Sequence, residues 1–440
     1  MQITLPLPAI EIRSQSYKEL FRTLLQSSLD FHGENSTYSS HSIHAFPAKF
    51  PPQLPRLFIE NLTEANDVVL DPMAGSSTTL LEAITLNRRA LGVDIDPLAL
   101  KIGNVKLAPK SIADIECEGL QAVSRAEDYF KKNRSRLNDR LKRRYSGENL
   151  EFIEYWFQPE TRLELLALLQ EIENVEDRRI RNFLLLNFSS TIITKSGGVS
   201  MAMDLAHTRP HRVVSKPVRS AFEEFAKRLK RNLKNINGAG QPEGDHLLAA
   251  GTVERLPLAD NSVDLIVTSP PYASNAIDYM RAHKFSLAWF GYSVKTLGKL
   301  RSRYIGGESL NGIEMLELPG FSRRIVETIK NVDHKKAMVL HRYYSEMTLT
   351  FREVRRVLRP GKAAVIVVGN SIMRGISTET AECLGEIGEQ AGLELIHIGV
   401  RHLDRDKRML PARRQGKPAN SKIEERMHEE YVIGFLKPGG

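Results

Sequence analysis

The chain reads as an α/β protein built on a doubly wound, mostly parallel sheet, and three stretches carry that expectation. Asp67-Val68-Val69-Leu70-Asp71 is short and apolar enough for a buried strand. It passes through Pro72-Met73-Ala74-Gly75-Ser76-Ser77-Thr78 into a helical pattern at Leu80, Leu81 and Ala83. Ala90-Leu91-Gly92-Val93-Asp94 follows as a second strand ending in an acid, and Val263-Asp264-Leu265-Ile266-Val267 as a third that runs into Thr268-Ser269-Pro270-Pro271-Tyr272. Strand, helix, strand in that order calls for crossover connections and hence parallel pairing.

Residues 1–45 read as an N-terminal arm or cover, and 46–100 hold the first two strands. A long insertion, 101–246, separates them from the rest. Leu163, Leu166, Leu169 and Ile172, and again Phe222, Phe225 and Leu229, recur at helical spacing, so this insertion is mostly α. It ends near Asn235-Ile236-Asn237-Gly238-Ala239-Gly240, and the sheet resumes over 247–440, opening on His246-Leu247-Leu248-Ala249-Ala250. A smaller insertion at about 274–340 contains Gly306-Gly307 and Gly312 and has little periodicity. The pattern then predicts a helix over Tyr343–Leu358 and a strand over Ala363–Val368, with late strands at Leu393–Val400 and Tyr431–Leu436. There is no internal repeat and no low-complexity tract.

The turns carry the chemistry. Gly75 permits positive φ and lets a ligand approach the backbone, while the first helical N–H groups point at a carboxylate or phosphate. An acid about 20 residues further on, here Asp94, is placed to accept the hydroxyls of a nucleoside ribose. The same residues also describe an ordinary βαβ unit. In Ser269-Pro270-Pro271-Tyr272 two prolines fix φ and remove backbone donors, leaving carbonyls free to accept. Tyr272 adds a flat ring. Acceptors beside a stacking face suit a planar base with an exocyclic amine, although a Pro-Pro turn also simply ends a strand.

Composition narrows the class. Lys and Arg number 62 against 53 Asp and Glu, a net charge of +9, which favours a polyanion. No stretch is apolar and long enough to span a bilayer, and the amino terminus has no basic-then-apolar export signal, so a cytoplasmic, nucleoid-associated enzyme is expected. The two cysteines, Cys117 and Cys383, follow Glu116 and Glu382. They exclude a disulfide framework, and neither follows the proline that a C5-cytosine methyltransferase places before its nucleophile. No histidine–carboxylate spacing suggests a metal, and His44 and His341 read as packing or hydrogen-bonding residues.

Asp71 to Thr78, Gly92-Val93-Asp94-Ile95-Asp96-Pro97 and Thr268 to Tyr272 together resemble the S-adenosylmethionine-dependent amino-methyltransferases. The Ser-Pro-Pro-Tyr form looks most like the DNA N(4)-cytosine methyltransferases. His44-Ala45-Phe46-Pro47-Ala48-Lys49-Phe50-Pro51-Pro52 is similar to the stretch with which that family encloses the methionine end of its cofactor. Arg281-Ala282-His283-Lys284 and Val357-Leu358-Arg359-Pro360-Gly361-Lys362 are further matches. The resemblance covers about 46–100 and 247–440, with 101–246 unmatched. It implies a seven-stranded, mostly parallel methyltransferase sheet with the last strand antiparallel, and S-adenosylmethionine as cofactor. By the same resemblance Phe46, Pro47, Asp71, Gly75, Ser76, Ser77, Thr78, Asp94, Ile95 and Thr268 hold the cofactor, and Ser269, Pro270, Pro271 and Tyr272 are catalytic. The sequence departs from the pattern in two ways. The catalytic motif follows the cofactor motifs, where many relatives place it first. Gly251-Thr252 stands where relatives often carry an acid near the adenine.

The implied reaction is site-specific transfer of a methyl group to the exocyclic N4 amine of cytosine in DNA. Ser269 and the Pro270 carbonyl accept the amino hydrogens and Tyr272 stacks on a flipped base. N6-adenine methylation of DNA and exocyclic-amine methylation of RNA are the alternatives. Backbone contacts are expected from Lys195, Arg209 and Arg212, with Arg281 and Lys284 near the catalytic loop. The cluster Lys131 to Arg144 reads rather as a solvated helix face, and the tail loop Arg401–Lys422 is a further candidate. The insertion at 101–246 is a candidate target-recognition region. Double-stranded DNA and a cognate restriction endonuclease are the expected partners of a monomer or weak dimer.

Overall fold

The computed structural model describes residues 16–46, 49–108, 111–194, 198–203, 205, 210–236, 244–273, 278–310, 312–403 and 429–439. Seven strands form one sheet: β1 (Val68–Asp71), β2 (Arg89–Asp94), β3 (His246–Ala250), β4 (Val263–Thr268), β5 (Leu358–Val368), β6 (Glu394–His402) and β7 (Glu429–Leu436). They lie in the order β6-β7-β5-β4-β1-β2-β3. The neighbours from β5 to β3 pair parallel, whereas β7 is antiparallel to both β5 and β6. This is the mostly parallel doubly wound sheet with an antiparallel last strand that the sequence led us to expect.

The central strands are apolar runs because helices cover both faces. Every residue of β1 and β4 is buried. Asp264, the one charged side chain within β4, is accommodated because its Oδ2 accepts the Val68 N–H at 2.9 Å and its Oδ1 pairs with Arg359. On one face Val69, Val267, Val365 and Val367 pack with helices Tyr17–Gln26, Gln53–Leu62 and Thr78–Thr85. On the other, Leu70, Ile266, Ile366 and Val368 meet helices His334–Val357 and Thr380–Gln390.

Residues 16–45 contribute to that core. Ser16 and Glu19 form a capping box on helix Tyr17–Gln26, whose Phe21, Leu24 and Leu25 are buried. The helix lies hard against β6 and β7. A Cβ on Gly399 would stand 2.4 Å from the Leu25 carbonyl oxygen, so only glycine allows the approach.

Helix Pro97–Leu107 begins one turn after β2, capped by Asp96, and packs beside β3; the sheet's own elements therefore continue past residue 101. Helices Ile112–Lys132, Arg134–Arg144, Gly147–Trp156, Pro159–Glu173, Arg178–Ile192 and Ala221–Ile236 share a core built on Phe130, Leu165, Leu169, Leu184, Phe188 and Phe225. Phe285 and Trp289, which follow the Ser-Pro-Pro-Tyr segment, are inserted into it. The stretch read as weakly periodic holds helices Tyr279–Leu287, Val294–Arg301 and Gly320–Lys330. The helix predicted from Tyr343 starts at His334, capped by Asp333. Strand register aligns Asp71 with Gly92, Asp94 with Ala250 and Thr268 with Ile366, which brings the carboxyl ends of the parallel strands to one edge.

Candidate active site

A cleft opens at that edge, with about 980 Å³ of empty space including its mouth. Its wall includes Phe46, Asp71, Gly75, Ser76, Thr78, Asp94, Ile95, Ser269 and Pro271, so the glycine-rich turn and the Ser-Pro-Pro-Tyr segment share one cavity. In open doubly wound sheets ligands bind beyond the carboxyl ends of the strands, where the strand order reverses. Here the reversal falls between β1 and β4.

The turn after β1 is strained in a defined way. Gly75 has φ +48° and Ser77 φ +57°, and the bend is held by the Ala74 N–H on the Val93 carbonyl at 3.0 Å. Gly75 also donates its N–H to Asp94 Oδ2 at 2.7 Å, while Asp94 Oδ1 accepts from the Asp96 N–H at 2.8 Å. Each Asp94 oxygen keeps a further acceptor position. Burial, then the neighbouring Asp96 charge, pushes the Asp94 carboxyl up to about 7. Asp71 Oδ1 accepts from Thr268 Oγ1 at 2.7 Å and from the Met73 N–H at 3.2 Å; burial raises this carboxyl to about 6. Thr268 is fully buried in that bond, and Ser77 is fully buried, its hydroxyl without a partner among the described residues, against helix Pro97–Leu107 at Gly103. Neither lies on the cleft wall.

Asp96 joins the end of β2 to the segment behind the Ser-Pro-Pro-Tyr loop. Its Oδ1 caps helix Pro97–Leu107, and its Oδ2 meets His283 Nδ1 at 2.6 Å and the Tyr304 hydroxyl at 2.8 Å. Burial alone would raise this carboxyl, but the His283 charge and hydrogen bonds from His283, Tyr304 and Leu98 hold it below its ordinary range. The Phe46 ring packs on Tyr279 and His283, with centroids 5.2 and 5.4 Å away.

Two buried groups support the walls. Arg342 is fully buried and donates to Glu346 and to the carbonyls of Ser302, Tyr304, Gly307 and Ser309, while Glu346 accepts the Gly306 N–H at 2.8 Å. Arg303, Tyr304 and Ile305 in that strapped loop line the cleft. Glu82, on the helix after Gly75, accepts from the Tyr38 hydroxyl at 2.8 Å and from Arg56 at 3.3 Å, and meets His41 at 2.6 Å; burial holds His41 down at about 4. Glu254, Tyr279 and Tyr304 are wall residues the sequence did not single out; Lys49 and Phe50, from the stretch 44–52, and Thr252 also line the cleft. Glu254 had a signal, since an acid was sought at Gly251-Thr252 and stands just beyond.

Ser269 is partly exposed, and its hydroxyl has no partner among the described residues. Pro270 and Tyr272 are buried and absent from the wall, and the Tyr272 hydroxyl donates to Glu430 Oε1 at 2.8 Å.

Of the residues expected to touch phosphate, Lys195 and Arg209, like Pro47 of the cofactor set, lie outside the described residues, as do 404–428 of the tail. Arg212 is exposed and lies over the Tyr155 ring at 4.5 Å. Arg281 bonds Asp278 at 2.7 Å, shared with Arg301, and Lys284 sits 5.3 Å from the Phe152 ring centroid. Burial, then the Arg301 charge, lowers the Lys284 amine. Arg134 and Arg144 pair with Glu160 and Glu173, as a solvated helix face would. Arg401 corrects the tail-loop assignment: it lies in β6 with its side chain 4% exposed. His44 bridges Ser189 Oγ and the Ala45 carbonyl, and His341 meets the Leu316 carbonyl. Among the described residues no helix is long and apolar enough to cross a membrane.

Residues 10–104, which include the glycine-rich turn and Asp94, match a family model described as DNA methylase. The chain is similar to the DNA amino-methyltransferases. The chain is 23% identical over 410 residues to the Type II methyltransferase M.MvaI of Kocuria varians, covering 88% of this chain and 87% of the relative. It is 25% identical to the Type II methyltransferase M.BsoBI of Geobacillus stearothermophilus, covering 80% and 79%. Among solved structures, a SAM-dependent methyltransferase from Methanosarcina mazei aligns over 87% of this chain and 98% of its own at 10% identity and a TM-score of 0.31. S-adenosylmethionine is the cofactor, and the cleft fits a nucleoside with an amino-acid tail. A Cβ added to Gly75 would meet the Phe46 ring at 3.4 Å, narrowing the cradle, and Asp94 presents free acceptor positions to ribose hydroxyls.

Proposed function

We propose that this methylase modifies the exocyclic N4 amine of cytosine in double-stranded DNA, at a specific sequence, with the target base turned out of the helix. The observation that carries the reading is the placement of the Ser269 side chain in the same cleft as Gly75 and Asp94. The Type II names of the relatives support a role in marking DNA against a cognate restriction endonuclease.

Asp94 would hold the ribose hydroxyls, and the turn at Gly75 to Thr78, with Phe46 and Asp71, the remainder of the cofactor. When bound, S-adenosylmethionine supplies a methyl group already activated on a sulfonium. The cytosine amine is a weak nucleophile because its lone pair is delocalised into the ring. The Ser269 hydroxyl and the Pro270 carbonyl accept its hydrogens, which favours tetrahedral nitrogen and aims the lone pair. Tyr272, buried just behind the cleft wall, is the ring on which the base would stack. A neutral serine before Pro-Pro, where adenine enzymes of this type usually carry Asp or Asn, favours cytosine. Helices of the 112–236 region, with Arg212, Arg281 and Lys284, would contact the duplex.

The test is incubation with labelled S-adenosylmethionine and separate DNA and RNA pools, followed by nucleoside mass analysis. Label in N(4)-methylcytosine from DNA is expected. Label in N(6)-methyladenine, or only in RNA, overturns the assignment.

A further inference from the structure

The hydroxyl of Tyr272 is anchored by residues from the last two strands of the sheet. It donates to Glu430 Oε1 at 2.8 Å, and Glu430 Oε2 accepts from Arg401 at 2.5 Å. Arg401 and Glu430 stand directly opposite each other in the β6/β7 ladder. All three are withdrawn from water: Tyr272 is 7% exposed, and the side chains of Arg401 and Glu430 are 4% and 12% exposed.

Topology explains how a residue so late in the chain reaches the catalytic loop. Because β7 runs antiparallel, its first residues lie beside the last residues of β5, as the pairing of Tyr431 with Val368 records. A parallel β7 would carry Glu430 to the opposite edge.

A buried carboxylate needs both charge and hydrogen bonds around it. Arg401 provides the charge, and Tyr272 supplies a further donor. Burial, then the Glu430 charge, pushes the phenol well above its ordinary range, so Tyr272 stays protonated and remains a donor.

We propose that Glu430, held by Arg401, is a positioning residue that fixes the ring of Tyr272 for stacking on the target base. This rests on reading Ser-Pro-Pro-Tyr as the segment that holds the base. The two prolines fix the backbone ahead of the tyrosine but leave its side-chain torsions free. A hydrogen bond at the far end of the ring removes that freedom, so the stacking surface is set before the base arrives. Like Tyr272 itself, Glu430 and Arg401 stand behind the cleft wall that Ser269 and Pro271 help form, and among the described residues their hydrogen-bonded link to the Ser-Pro-Pro-Tyr segment is the Tyr272 hydroxyl.

A double-mutant cycle on kcat tests this, using Tyr272→Phe, which keeps the ring, and Glu430→Leu. Total methyl transfer from labelled S-adenosylmethionine into mixed DNA and RNA is the measure, with cofactor Kd and thermal unfolding followed in parallel. Each single variant is expected to lose roughly tenfold in kcat. The double variant should be no slower than the slower single, with cofactor Kd within about twofold of the parent throughout. Losses that multiply in the double variant, or a Tyr272→Phe enzyme at full kcat, overturn the proposal. The second outcome decides even if Glu430→Leu does not fold. Because total transfer is scored, methylation of adenine or RNA would defeat the cytosine assignment while leaving this cycle readable. No transfer by the parent protein would remove both.

Discussion

Burial, then the Asp96 charge, raises the Asp94 carboxyl to about 7, so protonation opposes cofactor binding in the neutral range. Ribose hydroxyls donate to the ionised form, so cofactor binding should tighten as pH rises through 7. Calorimetric Kd values are expected to weaken about tenfold from pH 8 to pH 6, and Asp94→Asn should bind weakly with a flat profile. Stability of the ligand-free protein runs the other way. The folded carboxyls of Asp94 and Asp71 bind protons more tightly than unfolded ones, so their contribution is full below about pH 4 and is lost as pH climbs to 6 and 7. Thermal unfolding of Asp94→Asn should therefore show a smaller decline over that window than the parent. Ser269→Ala should lower kcat by about a hundredfold, with cofactor Kd changed less than twofold, if its hydroxyl holds the amine and not the donor as proposed. Rapid turnover by that variant would contradict the catalytic assignment. These residues were legible because each stands at the end of an apolar run, where strand chemistry puts it at the ligand edge.

Among the elements, the loop from Ser302 to Ser309 depends on a single buried guanidinium. Arg342→Met should leave Glu346 buried without its partner and free several carbonyls, a loss of about 3–5 kcal/mol in urea unfolding. Cofactor affinity should fall with it, because Tyr304 and its neighbours line the cleft. An unchanged unfolding midpoint would mean that the strap bears no weight. Nothing in the sequence marked Arg342, since an arginine in a charged helical stretch reads as surface. The helix from His334 was placed too late for a similar reason: Lys335 and Lys336 blur its apolar stripe, although the Asp333 cap was readable. Ser16 and Glu19 likewise signalled a helix that was taken for part of an arm.

At the scale of the whole molecule, the sheet was written in local patterns, whereas its closing contacts were not. Asp96 to His283, 187 positions apart, and Tyr272 to Glu430, 158 apart, join elements whose register no single-sequence pattern reveals. Net charge, by contrast, is a global property that sequence states directly. At +9 the protein should bind non-target DNA with an affinity that drops steeply with salt, following counterion release, in anisotropy titrations from low to physiological ionic strength. A salt-independent affinity would argue against a phosphate-dominated encounter.

The bond from the Gly75 N–H to Asp94 ties the carboxyl end of β1 to that of its neighbour β2. The two strands cannot part without dismantling the cofactor's cradle, so filling the cradle should protect both together. Deuterium uptake at the amides of Val69 to Gly75 and of Leu91 to Asp96 should slow in concert when the donor is added.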